Sequence, residues 1–153
     1  MEIKMKKRTT NQMQLVFDAI SENEQLARLA VAAFITPLDP TLEEMADVKT
    51  AISEAVTNAI IHGYEEDNGL VYIRCRIKGD LLEVEVEDKG KGIADIDQAM
   101  EPMYTTKPEQ DRSGMGFSFM EAFMDELEVS SILGVGTTIS MKKKLGTQSW
   151  LEL

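Results

Sequence analysis

Two rhythms of hydrophobic and polar positions divide this chain into strands and helices. Residues 13–19 alternate, with Met13, Leu15, Phe17 and Ala19 on one side, and predict a first strand. Ser21 and Glu24 then form an S-x-x-E capping box that opens a helix to about Thr36. Its apolar side is read as Leu26, Leu29, Ala30 and Ala33, leaving Arg28 pointing outward. After Pro37 and Pro40, Thr41 and Glu44 repeat the capping box and open a longer helix that runs to a glycine stop at Gly63. The core stripe of that helix is Val48, Ile52, Ala55 and Ala59.

The period then changes to two. Val71, Ile73, Cys75 and Ile77 alternate with Tyr72, Arg74, Arg76 and Lys78, and Leu82, Val84 and Val86 alternate with Glu83, Glu85 and Glu87. A two-residue turn at Gly79-Asp80 sets Arg76 opposite Glu83 and Arg74 opposite Glu85 on one face, with Ile77 on Leu82, Cys75 on Val84 and Ile73 on Val86 on the other. Residues 95–115 read as a long loop, followed by a helix from about Gly116 to Glu126 and two strands, roughly 127–133 and 137–144, around Gly134-Val135-Gly136. The pattern predicts one α+β domain over 1–153, with its core in about 12–145. It is a two-layer sandwich of helices on one face of a mostly antiparallel sheet.

Composition narrows the function. With 16 Lys plus Arg against 27 Asp plus Glu, the net charge is −11, which argues against direct binding to nucleic acid. The acidity serves either solubility or a basic protein partner. The single Cys75 excludes an intrachain disulfide, and the single His62 excludes the usual zinc site. No apolar run approaches the roughly 20 residues of a membrane span. The basic stretch Lys4 to Arg8 is followed by polar residues and not by a signal-peptide core, so a cytoplasmic protein without membrane association is expected.

Four short segments carry candidate chemistry. Glu54, Asn58 and His62 recur at i, i+4 and i+8 along one edge of the core stripe, beside Ala51 and Ala55, whose small side chains leave room for a cleft. Asn58 offers an amide oxygen to a hard cation such as Mg²⁺, which needs few protein ligands when phosphates and water complete its octahedron. Glu54 is placed to accept a proton from an attacking hydroxyl, whereas His62, near the helix end, is read as structural. Asp88 closes the hairpin before Gly90 and Gly92; a carboxylate accepts but does not donate, which suits the exocyclic amino group of adenine, although an Asp here also forms ordinary turns. The two glycines let backbone approach a flat ring. Gly114-Met115-Gly116 opens a helix whose free N–H groups suit phosphate, with Lys107 and Arg112 ahead of it; Glu109 and Asp111 dilute that charge and keep a plain solvated loop as the other reading.

Taken together, T-N-A-I-I-H-G-Y (57–64), M-Y-T-T-K-P (103–108), R-S-G-M-G-F (112–117) and, in the first helix, S-E-N-E-Q-L-A-R (21–28) resemble the gyrase-type, Hsp90-type, histidine-kinase and mismatch-repair ATPases that share the Bergerat ATP-binding fold. The resemblance is strongest to the small free-standing anti-sigma serine kinases of sporulating bacteria. It implies ATP/ADP and Mg²⁺ as ligands, Asn58 holding the metal, Glu54 as catalytic base and Arg112 sensing the terminal phosphate. It further implies that Asp88 reads adenine, with Gly90 and Gly92 at the ring and Thr137 assisting through water. Thr105, Thr106, Lys107, Ser113, Gly114, Met115 and Gly116 would meet the rest of the nucleotide. The partners implied are a sigma factor held inactive, an anti-anti-sigma protein phosphorylated on serine, and a second copy of the chain, with Arg28 facing a partner. A fragment of a histidine kinase, a general-stress anti-sigma kinase, and an ATP-driven switch without transfer are the competing readings.

Overall fold

The strictly alternating hairpin sets the register of the whole sheet. In the computed structural model, which describes residues 10–65, 67–101 and 116–146, β2 (Leu70–Lys78) pairs antiparallel with β3 (Leu81–Asp88), Cys75 facing Val84 and Arg74 facing Glu85. Gly79 supplies the positive φ (62°) that the tight turn requires. β1 (Thr10–Asp18) adds to one side, and β5 (Gly136–Lys144) and then β4 (Glu126–Ile132) to the other, giving an antiparallel sheet of order β1-β2-β3-β5-β4. Its inner face, including Ile73, Val84, Ile139 and Met141, is buried. The outer face is charged, and Arg74 Nη2 lies 3.2 Å from Glu85 and 3.0 Å from Glu87. Burial pushes the Cys75 thiol up to about 12, as expected for a core spacer.

Three helices meet that inner face: α1 (Glu22–Ile35), α2 (Leu42–Asn58) and α4 (Gly116–Phe123), with α2 packed between the other two. The second capping box forms as expected: Glu44 N–H donates to Thr41 Oγ1 (3.0 Å) and Thr41 N–H to Glu44 Oε1 (2.8 Å). Glu44 Oε1 also accepts from Gly146 N–H (3.1 Å), which ties the end of β5 to the start of α2. The stripe Val48, Ile52, Ala55 and Ala59 is buried as predicted.

Four expectations need correction. Ser21 takes an α-helical conformation and makes no side-chain cap. Glu24 instead turns inward, accepting from the Ser53 hydroxyl and from Thr57 Oγ1 (3.2 Å), because α2 offers it donors in a half-buried groove. The inward face of α1 is Ala27, Val31 and Ile35; Leu26 and Leu29 are 46% and 53% exposed, and Ala33 is exposed as well. An apolar i, i+3 pair can mark either side of a helix that is apolar on both. Part of the loop, Ile96–Ala99, coils into a one-turn helix, α3, capped by Asp95. Finally, α4 stops at Phe123, where the Lys143 ammonium donates to the Phe123 carbonyl (2.7 Å) and the chain turns into β4.

Ile52 has no exposed surface, whereas Leu42 is 92% exposed. Ile52→Ala is therefore expected to lower stability by about 2–5 kcal/mol, and Leu42→Ala to change it by no more than about 0.5 kcal/mol. Urea midpoints of the two variants check both values.

Candidate functional site

The long central helix does not end where its hydrogen-bond pattern first changes. Beyond Asn58, residues Ala59–Gly63 widen into a π-turn, closed by Tyr64 N–H donating to Ala59 O (3.0 Å). Such turns recur at functional sites. The helical run ends at Gly63 as read from the sequence, but without a left-handed cap: the residue that follows, Tyr64, keeps an ordinary helical conformation. The smallness of Gly63 serves packing instead: a Cβ on it would lie 2.7 Å from Asp88 Cγ. A Cβ on Gly90 would overlap the Gly63 carbonyl, and one on Gly92 (φ 77°) the Ile132 carbonyl. Lys91 N–H donates to Gly63 O (2.9 Å) and Lys91 O accepts from Gly134 N–H (2.6 Å). The glycines therefore join the helix end, the turn after β3 and the β4–β5 turn.

This junction closes one end of a cavity of about 330 Å³. Glu54, Thr57, Asn58 and His62 line it from the helix, Lys91 to Asp95 and Leu133 from the opposite side, and Gly116, Phe117 and Ser118 from the start of α4. A Cβ on Gly116 would come within 3.2 Å of Glu54 Oε2, so the first turn of α4 abuts that carboxylate. Ala51 and Ala55 do not line the cavity. Both are fully buried beneath neighbouring elements, and the helix wall is polar where alanines were expected.

Asp88 is buried to 3% exposure behind this wall. Its carboxylate accepts from Gly90 N–H (2.9 Å) and from the backbone of Thr137. Loss of solvation outweighs those two hydrogen bonds and raises its pKa to about 6, with the nearby Glu87 charge acting in the same direction. Thr137 is buried too, its hydroxyl 2.9 Å from Ser131 Oγ, and stands beside Asp88, off the cavity lining. Tyr64 braces the same corner, donating to Leu70 O (2.5 Å) and accepting from Lys89 N–H (2.7 Å).

Glu54, Asn58, Gly92 and Gly116 are thus brought to one cavity, with Asp88, Gly90 and Thr137 directly behind it. Arg28 lies apart on α1 and is half-buried, not freely exposed. Thr105, Thr106, Lys107, Arg112, Ser113, Gly114 and Met115 lie outside the described residues. Sequence reasoning passed over Thr57, Lys91 and Leu133. Thr57, three residues after Glu54, carried a readable spacing, but Leu133 reaches the cavity only through strand pairing. The residues present suit a Mg²⁺-bound nucleotide: a neutral amide oxygen at Asn58 and a helix turn without a side chain at Gly116 both face the cavity.

The geometry agrees with comparisons to known proteins. The model of the histidine kinase-like ATPase domain matches residues 17–143. The chain is 55% identical over 138 residues to the anti-sigma F factor of Thermoanaerobacter sp. (strain X514), covering 90% of this chain and 96% of that one. It is 56% identical over 139 residues to the anti-sigma F factor of Clostridium kluyveri (strain ATCC 8527 / DSM 555 / NBRC 12016 / NCIMB 10680 / K1), covering 91% and 98%. Among solved structures, the crystal structure of the RsbU and RsbW domains of a Mycobacterium tuberculosis protein superposes with a TM-score of 0.65 at 22% identity, over 88% of this chain and 32% of that longer one. That likeness speaks for the fold.

The raised pKa of Asp88 makes stability depend on pH with a definite sign. Its proton is held more tightly in the folded state, so the stability it contributes is complete below about pH 4 and is lost as pH rises through about 6. Relative to Asp88→Asn, the native chain is expected to lose roughly 2–3 kcal/mol between pH 4 and 6.5 and then to level off. Urea unfolding of both proteins across that range measures it.

Proposed function

The chain belongs to the histidine kinase-like ATPase domain family and, within it, to the anti-sigma F factor family, and from that premise we propose that it is an ATP-dependent protein serine kinase. It holds a sporulation sigma factor, sigma F, inactive and phosphorylates the anti-anti-sigma antagonist of that complex on serine. The observation that carries the reading is the cavity wall itself, where Glu54 and Asn58 stand one helical turn apart and the first turn of α4 abuts the Glu54 carboxylate. A nucleotide switch without transfer has no need of a base at position 54.

Phosphoryl transfer asks a protein mainly for positioning and charge compensation. Glu54 accepts the proton of the incoming serine hydroxyl. Asn58 would hold Mg²⁺ through its amide oxygen, and Asp88, buried behind Gly63 at the far end of the cavity, would mark the adenine end of the site. Mg·ATP, when bound, supplies the phosphoryl group and neutralises its charge. The free N–H groups of the first turn of α4 face the phosphates.

The partner surface is α1. Among the described residues no acceptor meets Arg28 Nε, although that atom is buried, while Glu24 Oε1 lies 4.0 Å from Arg28 Nη1. The exposed third of the Arg28 side chain is the part that an acceptor on a docking partner reaches. Leu26 and Leu29 expose apolar surface on the same helix, next to the edge strand β1, which supports association of two copies there.

Incubation with labelled ATP, Mg²⁺ and the candidate anti-anti-sigma protein should label serine; retained ATP binding without transfer would overturn the kinase reading. Glu54→Gln should keep ATP affinity within about twofold while lowering transfer by about 10²- to 10⁴-fold. Asn58→Ala should lose Mg²⁺-dependent nucleotide binding in calorimetry. For the partner face, Leu29→Asp should shift sedimentation from dimer to monomer, and Arg28→Ala should weaken sigma capture with ATP affinity unchanged.

A further inference from the structure

Three backbone N–H groups follow Asp88 in succession, and each finds its partner in a different way. Gly90 N–H returns to the Asp88 carboxylate (2.9 Å), and Lys91 N–H reaches the Gly63 carbonyl (2.9 Å). Lys89 N–H goes to a side chain, the Tyr64 hydroxyl (2.7 Å), which in turn donates to the Leu70 carbonyl (2.5 Å). Backbone groups withdrawn from water need such partners, so the phenol is what holds the turn at Lys89.

The sheet register explains what this relay replaces. β2 and β3 pair through Tyr72↔Glu87 and Val71↔Asp88, and the next rung would join Leu70 to Lys89. β2 does continue through Leu70, but there it pairs with Asp18 of β1. The Tyr64 oxygen stands between Leu70 O and Lys89 N–H, the two groups that an antiparallel rung would bond directly. One ladder bond is thereby stretched into two through an oxygen, and β3 ends immediately after Asp88. The turn then bends to Gly63, the residue next to Tyr64, against which the Asp88 carboxylate packs. The ring is fixed as well as the hydroxyl, because a Cβ on Gly69 would overlap it. Burial raises the pKa of the phenol more than its hydrogen bond from Lys89 lowers it, and the Asp88 charge adds to the rise. It remains an O–H donor at neutral pH.

We propose that Tyr64 is a positioning residue for base recognition, its hydroxyl spreading the β2–β3 ladder by one oxygen and so fixing where Asp88 stands behind the cavity. The proposal rests on the nucleotide reading of the site, with Asp88 at its adenine end. Without the hydroxyl, Lys89 N–H and Leu70 O close on each other. The hairpin zips one rung further and draws Asp88 away from Gly63. A displaced carboxylate deprives adenine of its acceptor and guanine of nothing, because guanine presents a carbonyl at that ring position.

Tyr64→Phe keeps the ring on Gly69 and removes only the relay. Calorimetry with Mg²⁺ and either ADP or GDP, on the native chain and the variant, reads the effect. The native chain is expected to prefer ADP. Tyr64→Phe should weaken ADP by roughly tenfold and leave GDP within about twofold, so that the preference collapses. Gly69→Ala, which displaces ring and hydroxyl together, should produce the same selective loss. Ile77→Val, a core substitution at the far end of the same hairpin, lowers stability without touching the relay and should keep the preference. Equal weakening of ADP and GDP in Tyr64→Phe, unchanged ADP affinity there, or a lost preference in Ile77→Val would overturn the positioning role while the nucleotide site stood. A native chain that binds ADP and GDP alike would remove Asp88 from base recognition, and this role with it. Absence of any ADP binding to the native chain would overturn the site reading itself.

Discussion

The backbone of Gly63 meets the turn after Asp88 at a separation that only glycine permits, and the site is built outward from that contact. Residues far apart in sequence stack there without side chains between them: Gly63 O accepts from Lys91 N–H, and Lys91 O from Gly134 N–H. Each of Gly63, Gly90, Gly92 and Gly136 would put a Cβ into backbone or into the Asp88 carboxylate. Because protein interiors are close-packed, a methyl at any of these positions forces the walls apart. The cavity owes its shape to this junction, and so does the burial that raises the pKa of Asp88.

Electrostatics sharpen the same point. A chain of net charge −11 does not attract a polyanion through its overall field, so affinity for a nucleotide has to be local. The groups that line the cavity from the central helix and from the start of α4 are where such local affinity has to reside. Glu54 stands against that first turn.

The two-helix layer on the β1 side carries a second theme. Glu24 is withdrawn from capping its own helix and spent on Ser53 and Thr57 of α2, and Thr57 also lines the cavity. One residue thus touches both the wall of the site and the helix that bears Arg28. The polar link fixes the rotation of α1, turning Ala27, Val31 and Ile35 inward and leaving Leu26 and Leu29 outside.

Much of this was legible from residue order alone. The β2–β3 register follows from strict alternation and a two-residue turn, both local constraints, and every pairing predicted there is present. The Thr41–Glu44 box and the Val48 stripe are equally local. The resemblance identified the fold family and drew Glu54, Asn58, Gly92 and Gly116 to one place. What failed depended on distant partners. Ser21 and Glu24 match the capping pattern, yet α2 offers Glu24 a better pair of donors. Leu26 and Leu29 match a core face, yet the sheet and α2 lie on the other side. Gly63 was legible as a helix stop and Gly90 as a turn glycine that lets backbone approach a ligand, yet Gly90 is needed to clear the Gly63 carbonyl. Periodicity and turn chemistry are settled within a few residues and can be read along the chain. The choice of inward face, the partner of a buried carboxylate and the reason for a glycine are settled by what packs across the gap, and only the folded arrangement supplies that.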